Sequence, residues 1–251
     1  MRSNFAKGLL AVAVISLAVF MAGSVQWAKS SLANHVGQGT KKQRLLREEV
    51  FRVIDAAPDD FAADKKEARA KKNKRFNGSV RALAEQREGE WSGIILESEP
   101  PALPFETHAI VVGSIQWRQP FVSDNLSCVY TELTVHIEEI LKNNSAAPIY
   151  AFQPLIVDRQ GGAIRMPNGR IYRYLVGGLG MPEVGKRYVL FLQYEGEGDY
   201  KLVSGYELTD STIIPLEDFH DRDLLQGLTK VQFLDLLRQR LAEKKAEGEV
   251  K

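Results

Sequence analysis

The stretch CVYTELTVHIEEILKN, Cys128 to Asn143, places a cysteine, a histidine and three glutamates within twelve residues, Cys128 to Glu139. These are the residue types of thiol nucleophiles and of general acid–base pairs. Read as a β-strand, the stretch separates them. Val129, Thr131, Leu133, Val135, Ile137 and Leu141 share one face, and Tyr130, Glu132, Thr134, His136 and Glu138 share the other. His136 then lies roughly 25 Å from Cys128 at about 3.3 Å per residue, which excludes a cysteine–histidine pair within the strand. Glu132 and Glu138 are about 20 Å apart, beyond the range at which two carboxylates cooperate in glycoside hydrolysis. The expectation is a core face and a solvated polar face, with His136 and Glu138 kept as candidate binding residues.

A second cluster, RMPNGRIYRYLVGG, gathers Arg165, Arg170, Tyr172, Arg173 and Tyr174 around an Asn-Gly pair, the strongest short hairpin signal. Like charges on paired strands are unfavourable unless an anion or an aromatic ring accompanies them. The cluster therefore reads either as arginine–tyrosine stacking on an exposed sheet or as a ligand or partner contact. Metal chemistry has no support: the four histidines are scattered, there is no H-E-x-x-H, and one cysteine cannot build a structural zinc site. EGEGD (Glu195–Asp199) lacks the later bidentate glutamate of a calcium loop and reads as a hairpin tip. There is no G-x-S-x-G and no Walker lysine motif, and GGLG (Gly177–Gly180) is too short for a dinucleotide fingerprint. No cofactor is expected.

The elements that must position these residues follow from punctuation and period. Arg2 and Lys7 precede the uncharged run GLLAVAVISLAVFMA (Gly8–Ala22), the pattern of a secretory signal. Apolar character extends through Trp27, long enough for a membrane anchor. Residues 1–28 are thus a signal peptide or an anchor. The chain is expected to be exported, facing outside the cytoplasm if anchored and secreted or periplasmic if cleaved. Cys128 is the sole cysteine, so no intramolecular disulfide forms. The net charge is +1, without the basic footprint that nucleic acid requires.

Residues 29–104 read as a charged helical spacer ending in a Pro-rich linker. Leu46, Val50, Val53 and Ile54 fall at helical spacing. AADKKEARAKKNKRFNG reads as a solvated helix, the alternative being that Lys65, Lys66, Lys71, Lys72, Lys74 and Arg75 touch anionic lipid headgroups. From residue 105 to 217 short β-type runs alternate with Gly, Asn, Asp and Pro: HAIVVGSIQW, VYTELTVHIEEIL, PIYAFQPLIVD, GAIRM, RIYRYLV, KRYVLFLQY, YKLVSGY and STIIPL. Residues 218–251 return to helix, with Thr229 and Gln232 at capping-box spacing and Phe233, Leu236, Leu237 and Leu241 on one stripe. The sequons at Asn125 and Asn143 mark surface loops.

The order HAIVVGSIQW, VYTELTVHIEEILKN, PEVGKRYVLFLQY, YKLVSGY resembles the netrin-like domain of the tissue inhibitors of metalloproteinases, and exported bacterial proteins with the same layout, over Phe105 to Leu216. The resemblance implies a mainly β fold with a small OB-like β-barrel. It carries over no inhibitory residue, because those inhibitors chelate zinc through a free N-terminal cysteine and are braced by disulfides, which Cys128 alone cannot supply. The resulting expectation is an exported binding module for a protein or envelope component, tethered to the membrane if residues 1–28 stay as an anchor. An envelope enzyme assembled from dispersed residues and a passive spacer are the alternatives.

Overall fold

The described residues all fall within one compact unit, 43–251. The computed structural model describes residues 52–57, 63–77, 83–87, 90–95, 104–176, 178–217, 225 and 227–249, with the backbone alone for 63–65, 83–87, 90–95, 104 and 248–249. The expected signal or anchor segment, the tether after it, and Leu46 and Val50 lie outside the described residues. Among those described, no helix is long and apolar enough to cross a membrane.

The fold is mainly β, closed by a C-terminal helix. In chain order the elements are β1 (Val53–Asp55), α1 (Ala63–Arg75), β2 (Leu83–Arg87), β3 (Glu90–Ile95), a 3-10 turn (Pro104–Glu106), β4 (Ala109–Val122) and β5 (Val129–Lys142). There follow β6 (Pro154–Gln160), β7 (Gly162–Arg165), β8 (Ile171–Val176), β9 (Arg187–Gly196), β10 (Asp199–Leu208), β11 (Ile213–Pro215) and α2 (Lys230–Glu249). One sheet runs β11-β10-β6-β5-β4-β9 and the other β1-β7-β8-β3-β2.

The six-stranded sheet curls until β10, antiparallel to β9 along most of its length, also touches β6. That second contact is parallel and only two residue pairs long, Tyr200 with Val157 and Lys201 with Asp158. The seam stays open along most of β6, so the expected barrel is corrected to a strongly curled sheet that is not a closed barrel. The curl follows from irregularities in β4. β4 carries three register shifts against β5, and bulges bend and twist a strand. Gly113 sits at one of them, where a Cβ would lie 2.5 Å from the His136 carbonyl oxygen, so only glycine fits without displacement of backbone.

Alternate residues of β4 and β9 feed two cores. Val111, Ile115, Leu133, Val135, Ile137, Leu190 and Leu202 fill the inside of the curl. Ile110, Val112, Val189 and Phe191 face outward, and α2 covers them with Phe233, Leu234 and Leu237. α2 begins with the expected box: Gln232 N–H donates to Thr229 Oγ1 (3.3 Å) and Thr229 N–H to Gln232 Oε1 (3.0 Å).

The chain leaves one sheet for the other at Gly161-Gly162, both at positive φ (105° and 134°). There Thr131 Oγ1 donates to the Gly161 carbonyl at 2.7 Å. The smaller sheet then encloses a third cluster, Cys128, Val129, Ile164, Tyr174 and Val176. This sheet corrects the helical spacer twice. Val53–Asp55 is a strand parallel to β7 rather than part of a helix. Leu83–Arg87 and Glu90–Ile95 form an antiparallel pair, and β3 extends it parallel to β8. The helical reading holds for Ala63–Arg75.

Candidate functional site

The outward face of β4, β5 and β6 is ordered in rows by strand register: Ser114–His136–Pro154, Trp117–Thr134–Ile156, Gln119–Glu132–Asp158 and Phe121–Tyr130–Gln160. The bulge at Gln116 resets the alternation of β4 and turns Trp117 outward. α1 lies over the last two rows. Tyr130 and Glu132 are buried beneath it, which corrects the expectation that this face of β5 is solvated along its whole length. Thr134, His136 and Glu138, beyond the helix, are half-buried.

Charge holds the helix there. Arg69 grips Glu132 with two hydrogen bonds of 2.5 and 2.9 Å, and its guanidinium stacks 3.6 Å above the Phe121 ring. Lys72 Nζ stands 2.9 Å from both Glu132 and Asp158 and 3.5 Å from Asp199. Arg75 closes the line on Asp158 (2.5 Å) and Asp199 (2.7 Å). Lys71 reaches Glu197 at the tip of the β9–β10 hairpin. Phe76, just past the helix, stacks on Tyr130 with centroids 4.1 Å apart. Five of the six lysines and arginines weighed as a lipid-facing set have described side chains, and of these Lys71, Lys72 and Arg75 are instead committed within the chain.

The environment splits the two central carboxylates. Burial pushes the Asp158 carboxyl up to about 6, against the opposing pull of Lys72 and Arg75. Burial also acts on Glu132, but the Arg69 hydrogen bonds and the Lys72 charge outweigh it and hold that carboxyl below its usual range. Lys72 keeps its proton more firmly than an ordinary lysine, since Asp158 and Glu132 outweigh its desolvation.

Between α1, the strand face and the hairpin tip runs a groove of about 1290 Å³. Trp117, Ile156 and Phe121 provide its apolar lining; Lys71 and Lys74 stand on the helix side and Glu195 and Glu197 on the hairpin side. Trp117 is 48 % and Ile156 51 % exposed. Two large apolar side chains thus stand in one register row, open to solvent, beside a wall of paired charges.

The residues singled out from sequence lie elsewhere. Arg165 pairs with Asp55 of β1 at 3.1 Å on the surface and stands opposite Ile171 rather than Arg170. Arg170 is exposed beyond the Asn168-Gly169 turn, its N–H donating to Asn168 Oδ1. Tyr174 is buried between the sheets, with Tyr172 packed against the same cluster and Arg173 opposite Ala163. Glu138 accepts from Arg187 Nε at 2.5 Å. His136 lies seven residues from Val129 along β5, about 23 Å away, so it does not join the arginine hairpin. Cys128 is buried and its thiol is pushed up to about 12 by desolvation, the state of an inert cysteine. Among the described residues no group of three or more His, Cys, Asp or Glu is arranged to hold a metal ion.

The residues that build the groove were hidden in the sequence for two reasons. Trp117 depends on a bulge that has no sequence signature. The Arg69, Lys72, Arg75 stripe, at i, i+3 and i+6, was visible, as were the outward acids Glu132 and Asp158, but nothing in one sequence joins them.

No protein-family model matches the chain, and no curated protein matches it.

Proposed function

We propose that this protein is an exported, membrane-tethered recognition module built on an OB-like curled sheet, and that it binds a polypeptide of the cell envelope in the groove beside α1. One observation carries the reading: Trp117 and Ile156 stand half-exposed in a single register row, flanked by charged side chains of both signs. An aromatic anchor at the centre of a polar rim is the usual anatomy of a protein-binding surface. The rim neutralises itself, since Lys71 pairs with Glu197 and Arg75 with Asp199. Affinity is therefore assigned to the apolar pair rather than to net charge. Export and tethering rest on the basic residues and apolar run of Met1–Ala22. The OB-like relation rests on the strand order shared with netrin-like domains.

The test is a photoreactive residue in place of Trp117 in the full-length chain, made in its own cells. The expected result is a discrete covalent adduct that disappears when Ile156→Asp is added. Equal labelling from position 117 and from the exposed Val231 on α2 would reject the groove. Recovery of the full-length chain in the cytosolic fraction would reject export.

A further inference from the structure

α1 is bound to the sheet in the way a ligand is bound. None of its side chains from Lys66 to Arg75 is buried, and Lys66, Glu67, Ala68, Ala70, Lys71, Lys74 and Arg75 are exposed. The contact is polar: three cations reach down from Arg69, Lys72 and Arg75, Lys71 meets Glu197, and Asn73 Oδ1 accepts from the Tyr130 hydroxyl at 2.7 Å. The acceptors belong to three neighbouring strands: Glu132 on β5, Asp158 opposite it on β6, and Asp199 on β10, two residues before Lys201, which pairs with Asp158. Contacts step across the strands in order, from Arg69 over β5 to Lys72 over β5 and β6, with a longer reach to β10, to Arg75 over β6 and β10.

This match has a geometric origin. Three residues of α-helix advance about 4.5 Å, and adjacent strands lie about 4.8 Å apart. A helix laid across a sheet with cations at i, i+3 and i+6 therefore offers one charge per strand. The sheet supplies one carboxylate per strand, and the hydrogen-bonded ladder fixes their spacing independently of the helix. Any helix with the same cation spacing meets the same acceptors, and the apolar contact given up on replacing α1 is the stacking of Phe76, just past the helix, on Tyr130.

We propose that the Glu132–Asp158–Asp199 trough is a receptor for basic helices bearing Arg or Lys at i, i+3 and i+6, filled in cis by α1, and that a partner's helix of this pattern takes the site by displacing α1. The displaced wall is also one side of the groove that holds Trp117, so occupation in trans remodels that groove.

The experiment uses a fluorescent peptide of residues 63–76 and the full-length chain. The cis helix competes at an effective concentration of order millimolar, so the unmodified chain binds the peptide weakly. In Lys72→Glu/Arg75→Glu, where α1 can no longer dock, binding tightens at least tenfold. Adding Asp158→Asn, or replacing the three peptide cations by Gln, abolishes it. Failure of the peptide to bind a double variant that retains its β circular dichroism overturns the proposal. Should that variant not fold, amide exchange on the unmodified chain decides: excess peptide must accelerate exchange in Ala63–Arg75 and leave β5 unchanged, and equal protection of both overturns the proposal. Concentration-dependent dimers of the unmodified chain with α1 exchanged between copies would make a second copy the occupant, and would equally overturn the assignment to a partner.

Discussion

Replacing Lys72 by methionine tests whether α1 is docked as described. Lys72 touches Glu132, Asp158 and Asp199 together, at 2.9, 2.9 and 3.5 Å. Its side chain is 12 % exposed and that of Asp158 is 1 %. Removing one partner of a fully buried pair costs about 3–5 kcal/mol. Here each carboxylate keeps a second cation, Arg69 on Glu132 and Arg75 on Asp158. The expected loss is therefore about 2 kcal/mol near pH 7.5, below the fully buried range but above the 0–1 kcal/mol of an exposed pair. The loss cannot exceed the free energy that docks α1. It also has a pH signature. Lys72 lowers the Asp158 pKa, so without it Asp158 takes up a proton more readily, and near pH 5 the variant loses less than at pH 7.5. Urea unfolding followed by circular dichroism reads both values, with the slope unchanged if the unfolded state is unaffected. A double-mutant cycle with Asp158→Asn isolates the pair, with an expected coupling of about 1–2 kcal/mol. A loss within 0.5 kcal/mol at both pH values, with no coupling, would refute the docking of α1 on the acidic row.

Three further outcomes concern the buried core and the acidic row. Arg159 is fully buried, donates from Nε to the Gly180 carbonyl at 2.9 Å and pairs with Glu217 at 2.6 Å; Arg159→Ala leaves that carboxylate without its cation and lowers the urea unfolding free energy by about 3–5 kcal/mol. Gly113→Ala drives a methyl against the His136 carbonyl, an overpacking cost of about 1–3 kcal/mol seen as a lower Tm. Asp158, raised from its ordinary 3.8 to about 6, binds a proton in the folded state that the unfolded chain has already released. Its stabilising contribution is thus complete below pH 3.8 and is lost as pH rises through about 6, with a ceiling of about 3 kcal/mol. Asp158→Asn removes that slope from the urea midpoint measured between pH 4 and 6.

How much of this was legible in the sequence depends on what each signal encodes. Alternation along β5 identified Val129, Leu133, Val135 and Ile137 as core, because period two reports the side on which a residue points. It does not report what covers the other side, and so Tyr130 and Glu132 read as solvated when α1 buries them. The Asn168-Gly169 turn and the Thr229–Gln232 cap were readable because their chemistry is local; Gly169 sits at φ 81° as the turn needs. Val53 and Ile54 fit a helical stripe, yet their state is set by parallel pairing with Ala163 and Ile164 more than a hundred residues away. The groove was hidden for the same reason. Trp117 owes its exposure to a one-residue bulge, and the helix wall owes its position to ion pairs whose members are about sixty or more residues apart. Interactions that couple distant strands leave no periodic trace.

The claim that Trp117 and Ile156 form the recognition face is tested most directly by cross-linking from position 117 in the full-length chain, in the cells that make it, with position 231 as the control. One discrete adduct is expected from 117, lost on Ile156→Asp without a change in Tm, and none from 231. Adducts of equal yield from both positions, or an adduct from 117 that survives Ile156→Asp, would contradict it.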